Sequence, residues 1–563
     1  MKNLFALFLI LFYHVSFSQT LITDTLFGES GYVSALNVGN SEVMTILQQP
    51  DNKIIVGGHN YDFGCNCHYI DMIRTDACGM IDSTFGINGI VHYTFEQRNL
   101  GFNYKLQPDG KILVVGVQSD GNNGSQQYPF IARFNSNGTP DTTFGDHGSR
   151  KINSIGACEF LNVYLLDEGK LLCTGGPTNY SNVIMQFDST GNVDPTFGNN
   201  GVVQHSIPAG INFFNSFFSM MRTDGKIISV APAWMGGDFR QAVLSCFDTQ
   251  GELDTTFGNQ GFFIDYDFYI ANGFKYAIQS DDKVIIAQQN TTETAMNIRR
   301  YNTNGSVDTT YGNGGTVSIP APNSPSRIQF LTLLANDDVI IGYQENGDVP
   351  KYKKVDVNGL EVTDFTLNGG SSFQFPTNDD KGRVALTTSS GEMVIAGSQN
   401  SFSLTRFIAN TSIPNITISG VTLNSNVGNL ESTFQWFLNG NLIANETSSS
   451  IEISQNGMYT VEVTNAWGCN TSDQLEVINL GEESISSIKF SVFPNPAEQI
   501  LTIQSKDNTL ISIRIFDVSG KLIKSETSNA TFTNIKVDEF TSGLYFLEIK
   551  SENQITQTKF IKK

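Results

Sequence analysis

The chain is a succession of short apolar runs, and polar residues typical of tight turns separate them. In one example, Ile112-Leu-Val-Val115 follows Gln107-Pro-Asp-Gly and ends at Gly116. Such a run is too short for a helix and is rich in β-branched residues, while Pro-Asp-Gly favours a tight turn. Past the first 20 residues we find no amphipathic helical pattern, so the pattern predicts an all-β protein.

Two motifs recur along most of the chain. The first reads D-x-x-[FY]-G-x-x-G, and its aromatic residues are Phe27, Phe85, Phe144, Phe197, Phe257 and Tyr311, spaced by 53 to 60 residues. The second is a turn followed by an apolar run. Its turn lysines are Lys53, Lys111, Lys170, Lys226 and Lys283, and Asp338 and Glu392 take their place in two degenerate copies. Seven copies of a repeated structural unit are therefore expected.

Each copy contains about four predicted strands. A third apolar run, such as Phe130–Phe134, ends at an Asn-Gly or Thr-Gly turn, and a further short run follows F-G-x-x-G. A four-stranded unit cannot bury both of its faces alone, but a closed ring of such units can, and closure removes exposed edges. Residues 24–409 are therefore predicted to form a seven-bladed β-propeller. An open solenoid is the alternative, but neither end carries a polar capping repeat.

The two motifs resemble those of the bacterial delta-60 repeat family over residues 24–408. The resemblance implies a repeated β fold and carries no agreed activity. We expect the recurring Asp, Phe and Gly to be structural, because a catalytic group is needed once whereas a turn contact is needed in every blade. The sixth and seventh copies depart from the pattern, since Thr363-Asp-Phe-Thr-Leu-Asn-Gly369 matches F-G poorly.

Residues 415–480 resemble a bacterial immunoglobulin-like module. Trp436 lies in a predicted strand before an Asn-Gly turn, and Tyr459 is placed for a tyrosine-corner contact. Such modules often pair an early with a late cysteine, but Cys469 is the only cysteine here, so that bond is missing.

Residues 486–563 resemble a type A sorting domain of the type IX secretion system. The resemblance rests on the order of an F-P-N-P start, a D-x-x-G-K turn and a basic last strand. These residues are Phe493, Pro494, Asn495, Pro496, Asp517, Gly520, Lys521, Lys559, Lys562 and Lys563. It implies a small Ig-like β-sandwich that the secretion machinery recognises and carries across the outer membrane. The fold prediction is thus a propeller followed by two small Ig-like β-sandwich domains.

The first 18 residues are typical of a signal peptide. Lys2 precedes an apolar segment, Leu4–Tyr13, and small residues flank Phe17, which predicts cleavage between Ser18 and Gln19. The apolar segment is shorter than the roughly 20 residues that a membrane helix needs, so no transmembrane segment is predicted. The expected location is the outer-membrane surface or the medium, reached through the periplasm.

Charge is unevenly distributed. The chain carries a net charge of −21, yet the part from Ser486 onward has ten Lys/Arg and eight Asp/Glu and a net charge of +2, which leaves −23 for the remainder. Such an acidic body repels phosphate groups, so nucleic acid is excluded as a partner.

Candidate chemistry is sparse. Phosphate-loop, zincin and nucleophile-elbow motifs are absent, and we predict no cofactor. Cys65, Cys67 and His68 are potential metal ligands, but a disulfide or a plain loop is the competing interpretation. If Tyr69–Thr75 is a strand, Cys78 lies roughly 20 Å from Cys67, too far for a disulfide to either cysteine of the pair.

These features favour a non-enzymatic binding or adhesion protein at the cell surface, with a glycan or a protein as ligand. A polysaccharide-active hydrolase on the same scaffold is one alternative, and it requires two carboxylates converging in the central channel. A purely structural cell-surface component is another, because a fold alone does not select a function.

Overall fold

The computed structural model of the chain describes most residues from 21 to 563. Segments outside the description are 30, 36–39, 96–97, 120–126, 178–181, 206–211, 214–217, 235–239, 271–272, 291–293, 322–325, 346–349, 368–380, 389–391, 399–401, 409–414, 426–431, 466, 479–489, 506–510 and 552–553. The predicted cleavage site at Ser18 and Gln19 also lies outside the described residues.

The chain divides into two compact units, and each is described separately below. The first consists of Met1–Pro414, Val427–Thr433 and Glu462–Ser472. The second consists of Asn415–Asn426, Phe434–Val461 and Asp473–Lys563.

The first unit contains seven antiparallel blades. Two N-terminal strands, β1 (Ile22–Thr23) and β2 (Tyr32–Ala35), precede them. Blade one contains β3 (Asn40–Gln48), β4 (Ile54–Asp62), β5 (Cys67–Thr75) and β6 (Ile90–Tyr93), blade two contains β7 (Arg98–Leu106), β8 (Ile112–Ser119), β9 (Gln127–Phe134) and β10 (Ser149–Lys151), and blade three contains β11 (Cys158–Leu165), β12 (Leu171–Pro177), β13 (Asn182–Phe187) and β14 (Val202–His205). Blade four contains β15 (Asn212–Phe213), β16 (Phe218–Met221), β17 (Ile227–Trp234), β18 (Arg240–Phe247) and β19 (Phe262–Tyr269), and blade five contains β20 (Lys275–Ile278), β21 (Val284–Gln289), β22 (Ala295–Tyr301) and β23 (Thr316–Pro320). Blade six contains β24 (Ser326–Leu333), β25 (Val339–Glu345) and β26 (Lys351–Val355), and blade seven contains β27 (Lys381–Thr387), β28 (Met393–Ser398) and β29 (Phe402–Ile408).

The blades close into a ring. The innermost strands β3, β7, β11, β16, β20, β24 and β27 contact one another in that order, and β27 contacts β3. The N-terminal strands complete blade seven, because β1 and β2 both pair with β29, with Tyr32 opposite Thr405. The prediction of a closed seven-bladed propeller is confirmed.

Four of the repeats place an arginine of an ion pair over the aromatic ring of the motif. In blade two, Arg133 Nε donates to Asp141 Oδ2 at 2.8 Å, and Lys111 Nζ lies 3.1 Å from the same oxygen. The Arg133 guanidinium lies 4.4 Å from the ring centroid of Phe144, which is fully buried. The recurring Asp therefore ties the turn between the first two strands to the third strand of its blade.

Blades three and four use lysine alone for this contact, because Gln186 and Cys246 stand where the other blades have a basic residue. In blade four, Lys226 Nζ lies 2.8 Å from Asp254 Oδ2. Hydrogen bonds from Lys226 and Thr256 lower the pKa of Asp254 to about 2. The carboxylate is thus held ionised by its neighbours within the blade.

The glycine of the F-G pair connects neighbouring blades. Gly145 N donates to Thr190 O of the next blade at 2.8 Å. Its φ is +54°, and a Cβ atom there would lie 2.4 Å from Ser149 O. Any other residue would be strained at this position, which explains why the motif requires glycine.

Blade six reverses the charges of this ion pair. The turn residue is Asp338 in place of lysine, and its Oδ2 lies 2.9 Å from Lys354 Nζ of the third strand. Val362 occupies the position of the recurring Asp, since its N–H donates to Lys354 O at 2.9 Å just as Asp308 N donates to Arg300 O. The departures seen in the sequence are therefore compensated within the blade.

We expect Asp338→Lys, which restores the repeat pattern, to destabilise the protein by about 3 kcal/mol, because it places a second ammonium beside the buried Lys354. Urea denaturation of the full chain measures this loss. The double substitution Asp338→Lys with Val362→Asp restores the arrangement of blade five and should recover most of the stability. A tolerated single substitution would contradict the role of this pair.

The two ends of the ring meet at a buried ion pair. Arg406 Nη2 lies 2.6 Å from Asp24 Oδ2, and Arg406 Nη1 donates to Ala77 O at 2.6 Å. The guanidinium lies between the rings of Phe27 and Trp467, 4.7 and 4.0 Å from their centroids. One arginine thus joins the N-terminal segment, blade one and the segment Glu462–Ser472 of this unit.

A disulfide reinforces the same corner of the unit. Cys78 is bonded to Cys469, with a Cα–Cα distance of 5.5 Å. The prediction that Cys78 bonds neither Cys65 nor Cys67 is confirmed, and the strand that separates them is β5. Cys158, Cys173 and Cys246 are buried free thiols.

The second unit contains the remaining sheets. Their strands are β30 (Ile416–Ser419), β31 (Thr422–Ser425), β32 (Thr433–Leu438), β33 (Asn441–Leu442), β34 (Ser450–Glu452), β35 (Gly457–Thr464), β36 (Asn470–Val477), β37 (Phe490–Phe493), β38 (Ile500–Ser505), β39 (Ile511–Phe516), β40 (Leu522–Ser528), β41 (Phe532–Lys536), β42 (Gly543–Ser551) and β43 (Gln554–Lys562). Strands β32, β35 and β36 each include residues of the first unit. Trp436 is buried and donates to Ser448 O, and Tyr459 Oη donates to Gln455 O at 3.0 Å.

The last seven strands form two sheets, in the orders β37-β38-β41 and β40-β39-β42-β43. Their apolar residues share one core, which includes Leu501, Ile513, Ile535, Leu547 and Phe560. Across the described part of the whole chain, no helix is long and apolar enough to cross a membrane.

Candidate ligand-binding cavity

A cavity of about 670 Å³ opens at the centre of the propeller, and we call it the axial cavity. Its walls come mainly from the inner strands of blades five, six, seven and one, which are consecutive in the ring, and partly from the second strands β21 and β25. The charged lining residues are Glu42, Lys275, Arg327 and Arg383.

β-Bulges direct side chains into this cavity. The pairing of β3, β24 and β27 with the next strand shifts by one residue at Met44, Gln329 and Arg383, which are all lining residues. A bulge leaves one residue unpaired and turns its side chain away from the regular alternation. Each of these residues lies nine positions before the turn residue of its blade, so the repeat itself sets the bulge.

The cavity concentrates positive charge. No carboxylate among the described residues forms an ion pair with Lys275, Arg327 or Arg383. Burial and the nearby Arg383 lower the pKa of Lys275. Glu42 Oε2 lies 3.5 Å from His59 Nε2, and its hydrogen bond with His59 is the main influence that lowers the pKa of Glu42.

Amide side chains complete the lining. They belong to Gln288, Gln289, Gln329 and Gln344, and Gln329 Nε2 donates to Gln344 Oε1 at 3.4 Å. Within the described structure, Arg383 Nε and Gln288 Oε1 are buried without a hydrogen-bond partner. Buried polar atoms are rarely left unsatisfied in folded proteins, so a water molecule or a polar ligand in the cavity would satisfy these two atoms.

The candidate metal ligands of the sequence form a different arrangement. Cys65 and Cys67 are bonded to each other, so neither sulfur is a thiolate ligand. His68 Nε2 lies 3.0 Å from Arg98 Nη2, and burial, Arg98 and His59 lower the pKa of His68 to about 4. Among the described residues, no group of three or more His, Cys, Asp or Glu side chains is placed to hold a metal ion.

The other predicted residues occupy two kinds of position. The aromatic residues Phe27, Phe85, Phe144, Phe197, Phe257 and Tyr311 are all buried in the propeller. In the C-terminal domain, the F-P-N-P segment lies against the last strand, because Ile561 N donates to Asn495 Oδ1 at 2.8 Å and Lys563 N donates to Ala497 O at 3.0 Å. Asp517 accepts hydrogen bonds from Ser519 and Lys521 within its turn.

Sequence reasoning missed the cavity residues. Motif searches find what recurs, whereas the residues that line the axis vary from blade to blade. A signal was present in the repeat register, since Glu42 and Arg327 both stand eleven positions before their turn residue. A repeat position whose residue type changes from blade to blade, here with opposite charges, is the sequence feature that indicates a functional site.

Two family models match the chain. The secretion system C-terminal sorting domain matches residues 491–563. A domain of unknown function (DUF5122) that forms β-propellers matches residues 107–144 and 279–311, which belong to two of the repeats.

Relatives with known names are distant. An endo-acting ulvan lyase of Formosa agariphila is 30% identical over 99 residues, and the match spans 16% of this chain and only 19% of that protein. A virginiamycin B lyase from Staphylococcus aureus is 12% identical with a TM-score of 0.40, covering 66% of this chain and 98% of that structure. A family PL25 ulvan lyase structure is 12% identical with a TM-score of 0.39, and the match covers 67% of this chain and 94% of that structure.

The sorting-domain match covers the F-P-N-P segment, the D-x-x-G-K turn and the basic last strand together. Such a domain directs export to the cell surface or the extracellular space and engages the secretion machinery. The chain is therefore a β-propeller protein that carries a C-terminal sorting domain of the type IX secretion system.

Proposed function

We propose that the exported propeller binds an anionic polysaccharide in its axial cavity. The observation that carries this proposal is the convergence of Lys275, Arg327 and Arg383 on one cavity of a body whose net charge is −23. Cations that gather against the overall charge of a protein favour an anionic ligand. The neighbouring glutamine amides suit the hydroxyl groups of sugars, since they both donate and accept hydrogen bonds.

Binding of dextran sulfate, with uncharged dextran as the matched probe, tests this proposal on the full chain. We expect the wild type to bind the sulfated polymer only, and more weakly as salt is added. Arg327→Gln with Arg383→Gln removes two charge-assisted contacts and should weaken binding about tenfold or more.

The control is Arg150→Gln, which removes a partly exposed arginine from blade two whose Nη1 contacts Asp146 at 3.1 Å. This variant should bind dextran sulfate like the wild type. Equal binding of the two polymers, or unchanged binding by the double variant, would refute the proposal.

Cleavage of the same polysaccharide is the second candidate. The Glu42–His59 contact supports it, because a carboxylate beside an imidazole in a cationic cavity is suited to proton transfer. Among the described lining residues Glu42 is the single carboxylate, so the pair required for glycoside hydrolysis is not assembled from them. Release of reducing ends from acidic polysaccharides, lost in Glu42→Gln, would favour an enzyme over a binding protein.

A further inference from the structure

The four-stranded sheet of the sorting domain exposes large apolar side chains on its outer face. Phe546 is 45% exposed, Leu544 37%, Leu522 45% and Ile561 48%. The inward-facing residues of the same strands, such as Ile515 and Leu547, are fully buried and already belong to the domain core. The outer residues therefore lie outside the domain core.

Strand register places these side chains next to one another. Phe516 is opposite both Leu522 and Phe546, and Leu544 is opposite Ile561. Directly opposite residues point to the same side of a sheet with Cβ atoms about 5 Å apart. We call these five residues the apolar face.

The rows beyond the apolar face are mainly polar, although Ile555, opposite Lys550 at the far end of the sheet, is 56% exposed. The next cross-strand row contains Arg514, Glu548 and Gln557, and Arg514 Nη1 lies 2.9 Å from Glu548 Oε1. Lys559, opposite Phe546, places a cation beside the apolar face. The five side chains of the apolar face are thus gathered at one end of the sheet.

The three sequence motifs of the sorting domain meet at this same end. Asp517–Lys521 is the turn between β39 and β40 and adjoins Phe516 and Leu522. Asn495 of the F-P-N-P segment receives a hydrogen bond from the backbone of Ile561, a member of the face. Segments far apart in the sequence therefore converge around one exposed apolar surface.

We propose that the apolar face is the surface by which the sorting domain docks onto the protein of the secretion machinery that recognises it. Contiguous exposed apolar groups with a polar surround mark protein interaction sites. Lys521 and Lys559 border the face, and the domain is net positive on an otherwise acidic chain. The partner surface is accordingly apolar with carboxylates around it.

The test is the export of full-length protein with Leu544→Ser and Phe546→Ser in the native bacterium. Both side chains are partly exposed and lie outside the domain core, so we expect the purified variant to remain folded, which thermal unfolding checks. Loss of two apolar contacts should weaken docking about tenfold or more, and the protein should accumulate in the periplasm. The matched control is Phe532→Ser, since Phe532 is 55% exposed but lies on the other sheet of the domain.

The control variant should be exported like the wild type. Normal export of the double variant would overturn the proposal, as would an equal defect in Phe532→Ser. If the double substitution changes only the oligomeric state of the purified protein and export is normal, the face binds a second copy and the proposal is wrong. None of these outcomes depends on polysaccharide binding by the propeller.

Discussion

Deletion of residues 486–563 is expected to leave a folded propeller in the periplasm. The predicted signal peptide delivers the chain only that far, and a closed ring of seven blades needs separate machinery to cross the outer membrane. The deleted residues include the whole region matched by the sorting-domain family and both sheets of that domain. The ring itself, from β1 to β29, is untouched by the deletion.

Cell fractionation measures this effect, and the expected change is close to complete loss of surface or released protein. The reciprocal experiment fuses residues 486–563 to a periplasmic reporter, which should then reach the surface or the medium. Normal export of the truncated chain would mean that the last domain serves only as a further structural sandwich. Resistance of the retained protein to proteolysis shows that it has folded.

Arg406→Met is expected to cause a large loss of stability, about 5 kcal/mol, because it removes one partner of a buried ion pair where the ring closes. Asp24 and Arg406 are both buried, and they join the N-terminal segment to the last strand of the propeller. The substitution also removes the stacking of the guanidinium on Phe27 and Trp467. Thermal unfolding and limited proteolysis of the full chain measure the loss.

The matched control is Arg133→Met in blade two, where the geometry is the same but the strands belong to one continuous stretch of chain. There Lys111 also binds Asp141, whereas the corresponding turn residue of blade seven is Glu392. We therefore expect the control to lose much less stability. Equal losses in the two variants would show that the ion pair at the closure has no special importance.

Much of the architecture is determined by the sequence itself. The spacing of the F-G and turn motifs reports the number of blades, because every copy must make the same turn and the same ion pair. The sorting domain can likewise be recognised from the sequence, because its F-P-N-P segment, its Asp517–Lys521 turn and its lysine-rich end are local patterns. Gly145 illustrates the reason, because a positive φ without room for a Cβ atom admits only glycine and so leaves a local signature.

Only the tertiary structure decided which distant residues meet. Cys78 and Cys469 are 391 residues apart, and no local pattern connects them. Glu42 of blade one reaches the cavity lined by Lys275, Arg327 and Arg383 of blades five to seven only because the ring closes. Asp338 looked like a degenerate copy until its contact with Lys354 showed a reversed ion pair. Local motifs encode what each blade needs for itself, whereas closure of the ring determines which blades share a cavity, and that information is spread over the whole chain.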